Sequence, residues 1–303
     1  RKGQYVADIG GIGQGPGEYK TIHFCMIDEK QKRIYLGPGR ANKILTYDLK
    51  GNYLSDEAIH FKEIVHKPCI WMDHDKKHVT VVGLPFSENE NSNFEISNNV
   101  CWVQNREGDI VHRISANHYG LIGDYSNGLV ACRNVDAISF SIFEDPMLRT
   151  RPDTLYHYDA VKNIITPRFT IDHVVSENQS ACTVLYETSR SYWAYVTLYP
   201  NDISSSAFSV RLTTFNVCVS KKDGSVKRID RFTNDFLGLS YPFLTMRNGY
   251  VCISYDPLEL MDALDKVLTQ TDLELDVRKR ATDLRNSLHE NDNDILIIGK
   301  LKQ

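Results

Sequence analysis

The feature that most constrains the fold of this chain is a hairpin signature that recurs along it. An apolar strand, a short charged turn and an alternating strand occupy residues 26–36, and the same order returns at residues 71–81. This pattern is typical of antiparallel β-hairpins. Shorter copies at residues 125–130 and 246–251 contain Asn-Gly pairs, whose tolerance of positive φ suits tight turns. The sequence therefore predicts a chain built mainly from hairpins.

A second hairpin follows the first in each repeat. Its copies lie at residues 45–54, 103–111 and 219–226, with a degenerate copy at residues 155–165. Successive copies are roughly 50–60 residues apart, a period typical of repeat architectures. Two hairpins per repeat form a four-stranded antiparallel unit, and radial repetition of such a unit gives a β-propeller. We therefore expect an all-β fold: a propeller of five to six four-stranded blades, forming a single domain over residues 1–303.

One segment departs from the β pattern and predicts an α-helical hairpin at about residues 257–290, inserted in the last blade. Asp256-Pro257 has the form of a helix N-cap followed by proline at the first helical position. Thr271 and Glu274 predict a second capping box. The side chains expected to face inward are Leu264, Leu268, Val277, Leu284 and Leu288. The insert either covers the rim or outer face of the propeller or docks a partner.

Composition excludes several classes of protein. The chain has 35 basic and 39 acidic residues, a formal net charge of −4, so no basic stripe indicates a nucleic-acid partner. Its apolar runs are too short for a transmembrane segment. The seven cysteines are spread evenly without a CxxC pair. Four of them (Cys25, Cys101, Cys218 and Cys252) sit in apolar segments and are expected to be buried thiols.

Residues 10–19 read Gly-Gly-Ile-Gly-Gln-Gly-Pro-Gly-Glu-Tyr. This density of glycine and proline predicts a turn-rich crossing between blades. The stretch is not expected to bind a nucleotide, because no helix follows whose N-terminus could hold a phosphate.

That motif, the hairpins at residues 34–36 and 47–51, and the ending at residues 297–302 together resemble the bacterial six-bladed β-propeller family. This family is related in shape to NHL-repeat proteins. Its members are exported, often lipid-anchored proteins of anaerobic Gram-negative bacteria, without an assigned activity. The resemblance implies a periplasmic or outer-membrane-anchored location, with any lipid anchor lying upstream of this chain.

The two ends of the sequence carry a further expectation. The chain begins with Arg1 rather than Met, and the family has one more blade before the glycine-rich motif, so we expect that an upstream segment exists. Residues 4–9 and 295–301 each have the form of half a hairpin. They pair directly if they close the ring, and they lie in adjacent blades if a blade is missing.

Three patterns in the sequence resemble metal sites: one histidine pair and two sets of acidic residues. His74 and His78 fall in a predicted turn, where their spacing does not create a zinc site. Residues 290–294 are acidic but lack the glycine and the distal glutamate of a calcium loop. Glu18 and Glu63 lie at matching positions in two repeats, and would contribute to calcium binding on the axis of a lactonase-like propeller.

The predicted binding surface is the mouth of the central channel, where the innermost strands begin. The six candidate residues are Glu18, Tyr19, Lys20, His66, Lys67 and Tyr241. Aromatic and charged side chains together suit a sugar or a peptide. The sequence predicts a non-catalytic binding or scaffold protein of the cell envelope that recognises a glycan, peptide or protein partner and needs no cofactor. The alternative is a calcium-dependent hydrolase or lactonase.

Overall fold

A computed structural model describes residues 7–73, 77–87, 94–146, 151–172, 178–200 and 212–301. The chain divides into two compact units. The first comprises Arg1–Ala131 and Phe140–Arg168, and the second comprises Cys132–Ser139 and Phe169–Gln303. The described residues are mostly β-strand, with one pair of α-helices in the second unit.

The first unit opens with two short parallel strands, β1 (Gly11–Ile12) and β2 (Glu18–Tyr19). A seven-stranded antiparallel sheet follows, with its strands in chain order. These strands are β3 (Ile22–Asp28), β4 (Arg33–Pro38), β5 (Arg40–Asp48), β6 (Ile59–Met72), β7 (Val79–Leu84), β8 (Asn99–Gln104) and β9 (Ile110–Ser115).

Burial within this sheet follows strand position. Every residue of β7 and β8 is buried, as expected for strands covered on both faces, whereas the edge strand β9 is mostly exposed. The long strand β6 pairs with β5 through its first half and with β7 through its second half. Its register breaks between His66 and Cys69, which forms an irregularity in the middle of the strand.

Four further strands form one sheet in the order β10-β11-β12-β13. They are β10 (Gly128–Val135), β11 (Ala137–Phe143), β12 (Asp153–Asp159) and β13 (Ile164–Ile171). Residues 132–139, at the β10–β11 turn, belong to the second unit, where the Asn134 amide donates to the Met246 carbonyl at 3.0 Å.

The second unit contains a four-stranded antiparallel sheet with strands in chain order. Its members are β14 (Gln179–Glu187), β15 (Ser191–Pro200), β16 (Thr213–Ser220) and β17 (Val226–Ile229). A two-stranded sheet of β18 (Phe232–Thr233) and β19 (Ser240–Tyr241) follows. The last sheet has the order β20-β21-β22, from strands β20 (Met246–Arg247), β21 (Tyr250–Tyr255) and β22 (Ile295–Lys300).

The helical hairpin lies between β21 and β22, as predicted. Its helices are α1 (Pro257–Leu268) and α2 (Leu275–Ser287). The Asp256 carboxylate caps α1 by accepting from the backbone N–H groups of Leu258 and Glu259. The second capping box is wrong: α2 begins after Glu274, whose side chain makes no capping hydrogen bond.

Apolar side chains from the helices and the neighbouring strands form one core in the second unit. Its buried members are Leu237, Leu239, Tyr241, Leu260, Leu264, Val267, Ala281 and Leu288. Leu268 and Leu284 are partly buried against it, and Val277 is buried. The predicted inward stripe is therefore confirmed, because both helices place their apolar faces on the strands.

The turn chemistry of the second hairpins is also confirmed. Gly51, Gly108 and Gly224 have φ angles of 87°, 93° and 71°, and Asn163 takes the same role at 54° in the degenerate copy. The prediction of a hairpin at residues 125–130 is wrong, because residues 122–127 contain no strand and β10 starts only at Gly128. Side-chain hydrogen bonds, such as that from the Asn127 amide to the Ile122 carbonyl, shape the turn instead.

The prediction of four buried thiols is only partly right. None of the seven cysteines forms a disulfide bond, and of the four only Cys101 is buried; Cys25 and Cys252 are exposed. Both fall on the outward face of an alternating strand. Residues 4–6 of the segment predicted to pair with the C-terminal strand lie outside the described residues. At the other end of the chain, β22 pairs with β21. No helix in the described part of the chain is long and apolar enough to cross a membrane.

Candidate functional site

The glycine-rich motif forms a loop that is held by its own side chains. The Glu18 carboxylate accepts from the Gly15 N–H at 2.7 Å, and the Glu18 N–H donates to the Gly15 carbonyl at 3.0 Å. A Cβ at Gly13 would overlap the Glu18 carboxylate, so a larger residue there would displace this side chain from its hydrogen bond to Gly15. Glu18, one of the predicted site residues, therefore closes the turn between β1 and β2.

The two residues that follow Glu18 differ in their surroundings. Tyr19 packs against the apolar cluster of Ile34, Leu36, Leu45 and Tyr47. Its hydroxyl donates to the Ile9 carbonyl at 3.4 Å. Lys20 is exposed. Tyr19 therefore packs against the core, whereas Lys20 lies at the surface.

His66 and Lys67 lie together at the irregularity of β6. Lys67 has a φ angle of 45°, in the left-handed region that a residue with a side chain seldom adopts. Its N–H donates to the Gly39 carbonyl at 2.7 Å, which fixes this conformation from the start of β5. Backbone outliers of this kind are concentrated at functional sites, because the surrounding structure must hold them in place.

The Lys67 side chain holds a neighbouring turn. Its ammonium group donates to the Tyr125 carbonyl at 3.2 Å and also to the Asn127 carbonyl. Burial lowers the pKa of Lys67, and the nearby Asp124 carboxylate opposes this effect. The Lys67 ammonium group therefore stabilises the turn before β10.

An aromatic ladder leads from His66 to the surface. The His66 ring lies 4.7 Å from the Phe86 ring and 5.8 Å from the Phe94 ring, measured between centroids. Phe94 in turn contacts Tyr125 at 4.8 Å in an edge-to-face arrangement. His66 and Phe86 are buried and Phe94 is partly buried, whereas Tyr125 is 88% exposed. The ladder thus presents one aromatic ring to solvent on a rigid base.

A bidentate ion pair borders the ladder. The Arg40 guanidinium donates from Nε to Glu95 Oε2 at 3.0 Å, and from its terminal nitrogen to the other oxygen. Glu95 Oε2 also lies 3.2 Å from His66 Nε2. Burial, with smaller contributions from Arg40 and Lys67, lowers the pKa of His66 to about 4. The buried imidazole is therefore neutral at pH 7.

Tyr241, the remaining predicted residue, belongs to the second unit. Its ring is buried in the core beneath the helices and lies 6.3 Å from the Tyr255 ring. It lines a cleft of about 300 Å³ together with β18, β21 and β22 residues such as Phe232, Ile253 and Ile297. This cleft is mainly apolar, and all of its lining residues belong to the second unit.

Sequence reasoning missed the partners that complete the site around His66. Arg40, Glu95, Phe94 and Tyr125 reach it from three separate segments, and Arg40 and Glu95 are 55 residues apart. Nothing in the repeat pattern marks them. The strongest available signal was Tyr125, an aromatic residue in a turn beside an Asn-Gly pair.

The carboxylates suggested for calcium both have local partners. Glu63 accepts from the side-chain amides of Asn98 and Asn99 at 2.5 and 2.8 Å. Glu18 is engaged within its loop, as described above. Across the described ranges, no group of three or more His, Cys, Asp and Glu side chains could hold a metal ion. His74 lies outside the described residues.

Several solved structures are similar to this chain. One is a Bacteroides fragilis protein inferred to be exported, with a TM-score of 0.57 and 15% identity over 97% of this chain and 81% of that one. An endo-arabinase from Bacteroides thetaiotaomicron has a TM-score of 0.34 and 7% identity, over 75% of this chain and 95% of that one. An acylaminoacyl peptidase from Pyrococcus horikoshii has a TM-score of 0.38 and 14% identity, over 76% of this chain and 35% of the peptidase.

At these identities the first likeness concerns the fold alone, and the other two fall below the similarity at which folds can be equated. Comparison with curated protein sequences gives no match. A family profile, in contrast, matches residues 1–300, which is nearly the whole chain. The glycine-rich loop, the repeated hairpins and the helical insert all lie within the matched region. The chain therefore belongs to the DUF4934 family, a domain of unknown function.

Proposed function

We propose that this chain is a non-catalytic binding protein of the bacterial cell envelope that recognises a glycan, a peptide or a protein partner. The observation that carries the proposal is the exposed Tyr125 ring, mounted on Phe94 and bordered by the Arg40–Glu95 ion pair. Aromatic and arginine side chains dominate the energetics of binding surfaces. Because the Tyr125 ring already packs against Phe94, covering it with a ligand costs little side-chain conformational entropy.

The hydrogen-bonding groups around Tyr125 suit a polar ligand. The charged side chains of Arg40 and Glu95 can each exchange hydrogen bonds with hydroxyl or amide groups of a ligand. Lys67 keeps the Tyr125 turn in place without the ligand, so binding does not have to order it. A sugar ring or a peptide combines the apolar face and polar edge that this arrangement matches.

We further propose a β-propeller architecture for the chain. Four-stranded sheets in chain order and the recurrent turn with positive φ support it. The extracytoplasmic location is also a proposal, supported by the likeness to a protein inferred to be exported and by the resemblance to exported propellers. A lipid anchor upstream of this chain belongs to the same proposal.

The test is a binding screen of the chain against a glycan array and a peptide library, followed by Tyr125→Ala. We expect this substitution to weaken binding of the selected ligand by about tenfold or more. The free energy of unfolding should change by less than about 0.5 kcal/mol, because the ring is exposed. Tyr250→Ala removes an exposed tyrosine in the other unit and should leave affinity unchanged.

Two outcomes would count against the proposal. Equal affinities for the protein and its Tyr125→Ala variant would place the ligand elsewhere. Turnover of a bound glycan or lactone, together with one calcium ion per chain in elemental analysis, would favour the calcium-dependent hydrolase instead.

A further inference from the structure

A second site is present in the first unit, apart from the cluster around His66. A pocket of about 170 Å³ lies between the first half of β6 and the β8–β9 hairpin. Its lining includes Phe61, Glu63, Asn99, Ile110 and Arg113. A cavity of about 150 Å³ is large enough for benzene, so this pocket has room for one small ligand rather than a polymer.

The pocket is held in shape by hydrogen bonds at the hairpin end. The Gln104 side-chain amide donates to the His60 carbonyl at 2.7 Å, and the His60 N–H donates to the Arg106 carbonyl at the same distance. Gly108 permits this close approach, since a Cβ there would lie 3.0 Å from the His60 carbonyl oxygen. The β8–β9 turn is therefore fastened to β6 without a ligand.

The Glu63 carboxylate, at the other end of the pocket, has unused acceptor capacity. The Glu63 carboxylate accepts two amide N–H groups, about half of the hydrogen bonds that its oxygens can take. The Asn99 side chain is buried, and its Oδ1 has no hydrogen-bond partner among the described residues. Because the Asn99 amide nitrogen donates to Glu63, the amide cannot rotate without losing that bond. A carboxylate with unused acceptor capacity favours a positively charged donor.

The opposite charge and an apolar surface are also present. The Arg113 guanidinium lines the pocket and makes no hydrogen bond or ion pair with the described part of the chain. Lys62, a further lining residue, is paired with Asp109 at 3.2 Å, so Arg113 is the cation available to an anion. Phe61 and Ile110 supply apolar contacts. The pocket thus offers acceptors for an ammonium group, a partner for a carboxylate and apolar side chains.

We propose that this pocket binds the α-ammonium group of an apolar amino acid or of a short peptide. Glu63 accepts from the ammonium, Arg113 pairs with the carboxylate, and the apolar side chain lies against Phe61 and Ile110. The proposal rests on the proposed binding function for its class of ligand. It shares no residue with the site at Tyr125, so each can fail without the other.

The experiment is isothermal titration of the whole chain with leucine, the dipeptide Leu-Gly, N-acetyl-leucine and glucosamine. Leucine or Leu-Gly should bind saturably, and whichever binds tighter identifies a free amino acid or a peptide terminus as the source. Acetylation removes the charge and should weaken binding by about tenfold or more. Tighter binding of glucosamine than of both leucine ligands, or equal binding of N-acetyl-leucine and leucine, would overturn the proposal.

Matched variants locate the site. Glu63→Gln keeps the side-chain shape but removes the charge, and should reduce affinity for leucine or Leu-Gly by about tenfold. Glu107→Gln makes the same change on the exposed tip of the β8–β9 hairpin and should have no effect. Tyr125→Ala should also leave this affinity unchanged. Binding that survives Glu63→Gln would overturn the assignment, whereas loss of binding in Tyr125→Ala alone would move the amino acid to the other site.

Discussion

Lys67 Nζ donates a hydrogen bond to the Tyr125 carbonyl at 3.2 Å, so a residue in the middle of β6 fixes a turn that lies 58 residues further along the chain. The lysine can reach this turn because its own backbone has a φ angle of 45° at the break in the β6 register. The irregular strand and the exposed aromatic ring are therefore parts of one arrangement.

The first prediction concerns that ammonium group. Lys67→Met keeps an unbranched side chain of similar length but removes its donors, and the hydrogen bonds to two backbone carbonyls are lost. We expect the free energy of unfolding to fall by about 1–3 kcal/mol in urea denaturation. Lys20→Met, at an exposed lysine, should change it by less than about 0.5 kcal/mol. Similar values for the two variants would show that Lys67 does not hold the turn.

The second prediction follows from the low pKa of His66. Between pH 6.5 and about 4 the unfolded chain binds a proton at this residue that the folded protein excludes. The stability that the neutral His66 imidazole contributes to the folded state is therefore complete above pH 6.5 and is lost as the pH falls towards 4. We expect about 2 kcal/mol of this loss between pH 7 and pH 5.

His66→Phe tests this directly, because phenylalanine fills a similar space between Phe86 and Phe94 but does not titrate. Urea denaturation at pH 7 and pH 5 should show a smaller loss of stability in the variant than in the wild-type protein. The charged neighbours Arg40, Lys67 and Glu95 are present in both proteins, so the difference isolates the imidazole. An identical pH dependence in the two proteins would contradict the prediction.

The third prediction concerns the glycine-rich loop. Gly17 has a φ angle of 76°, and a Cβ there would lie 2.7 Å from the Tyr53 ring. Gly17→Ala should therefore lower the free energy of unfolding by about 2 kcal/mol or more, from backbone strain and steric overlap together. Gly11→Ala is the matched control, since its Cβ would meet no atom within 4 Å. Thermal denaturation of both variants against the wild-type protein measures the difference.

The fourth prediction compares two leucines of the helical hairpin. Leu264 is fully buried, whereas Leu284 is only partly buried against the same core. Leu264→Ala should cost about 2–5 kcal/mol of unfolding free energy, because it leaves a cavity. Leu284→Ala should cost about 1–2 kcal/mol, since less apolar surface is lost. A larger cost at Leu284 would mean that the packing of α2 differs from that described.

Local sequence determined the elements that could be predicted. The turns at Gly51 and Asn248-Gly249 were identifiable because few residues adopt positive φ without strain. Asp256 was identifiable as an N-cap because its carboxylate bonds to N–H groups two and three residues away. The second capping box failed because α2 starts about one turn after Thr271, with Glu274 itself at the N-cap position.

The candidate site depended on contacts between distant segments. The offset between repeats predicted His66 and Lys67 as candidate binding residues. It could not predict Glu95, because the position of Glu95 is set by its ion pair with Arg40. Tyr241 was expected to line a channel mouth with the others, and it lies in the core of the second unit. Whether a side chain at a strand start faces a ligand or a core depends on packing that the repeat pattern does not encode.

The placement of the helices between two adjacent strands has a consequence for the order of folding. β21 and β22 pair along six positions, although 40 residues separate Ser254 from Asp294 at the end of this ladder. Closing so long a loop is entropically costly for a flexible chain, but a helical hairpin forms quickly from local contacts and returns the chain to its starting point. We therefore expect α1 and α2 to form before β22 pairs with β21. The helical insert would then bring the two strands together and speed the assembly of the last sheet.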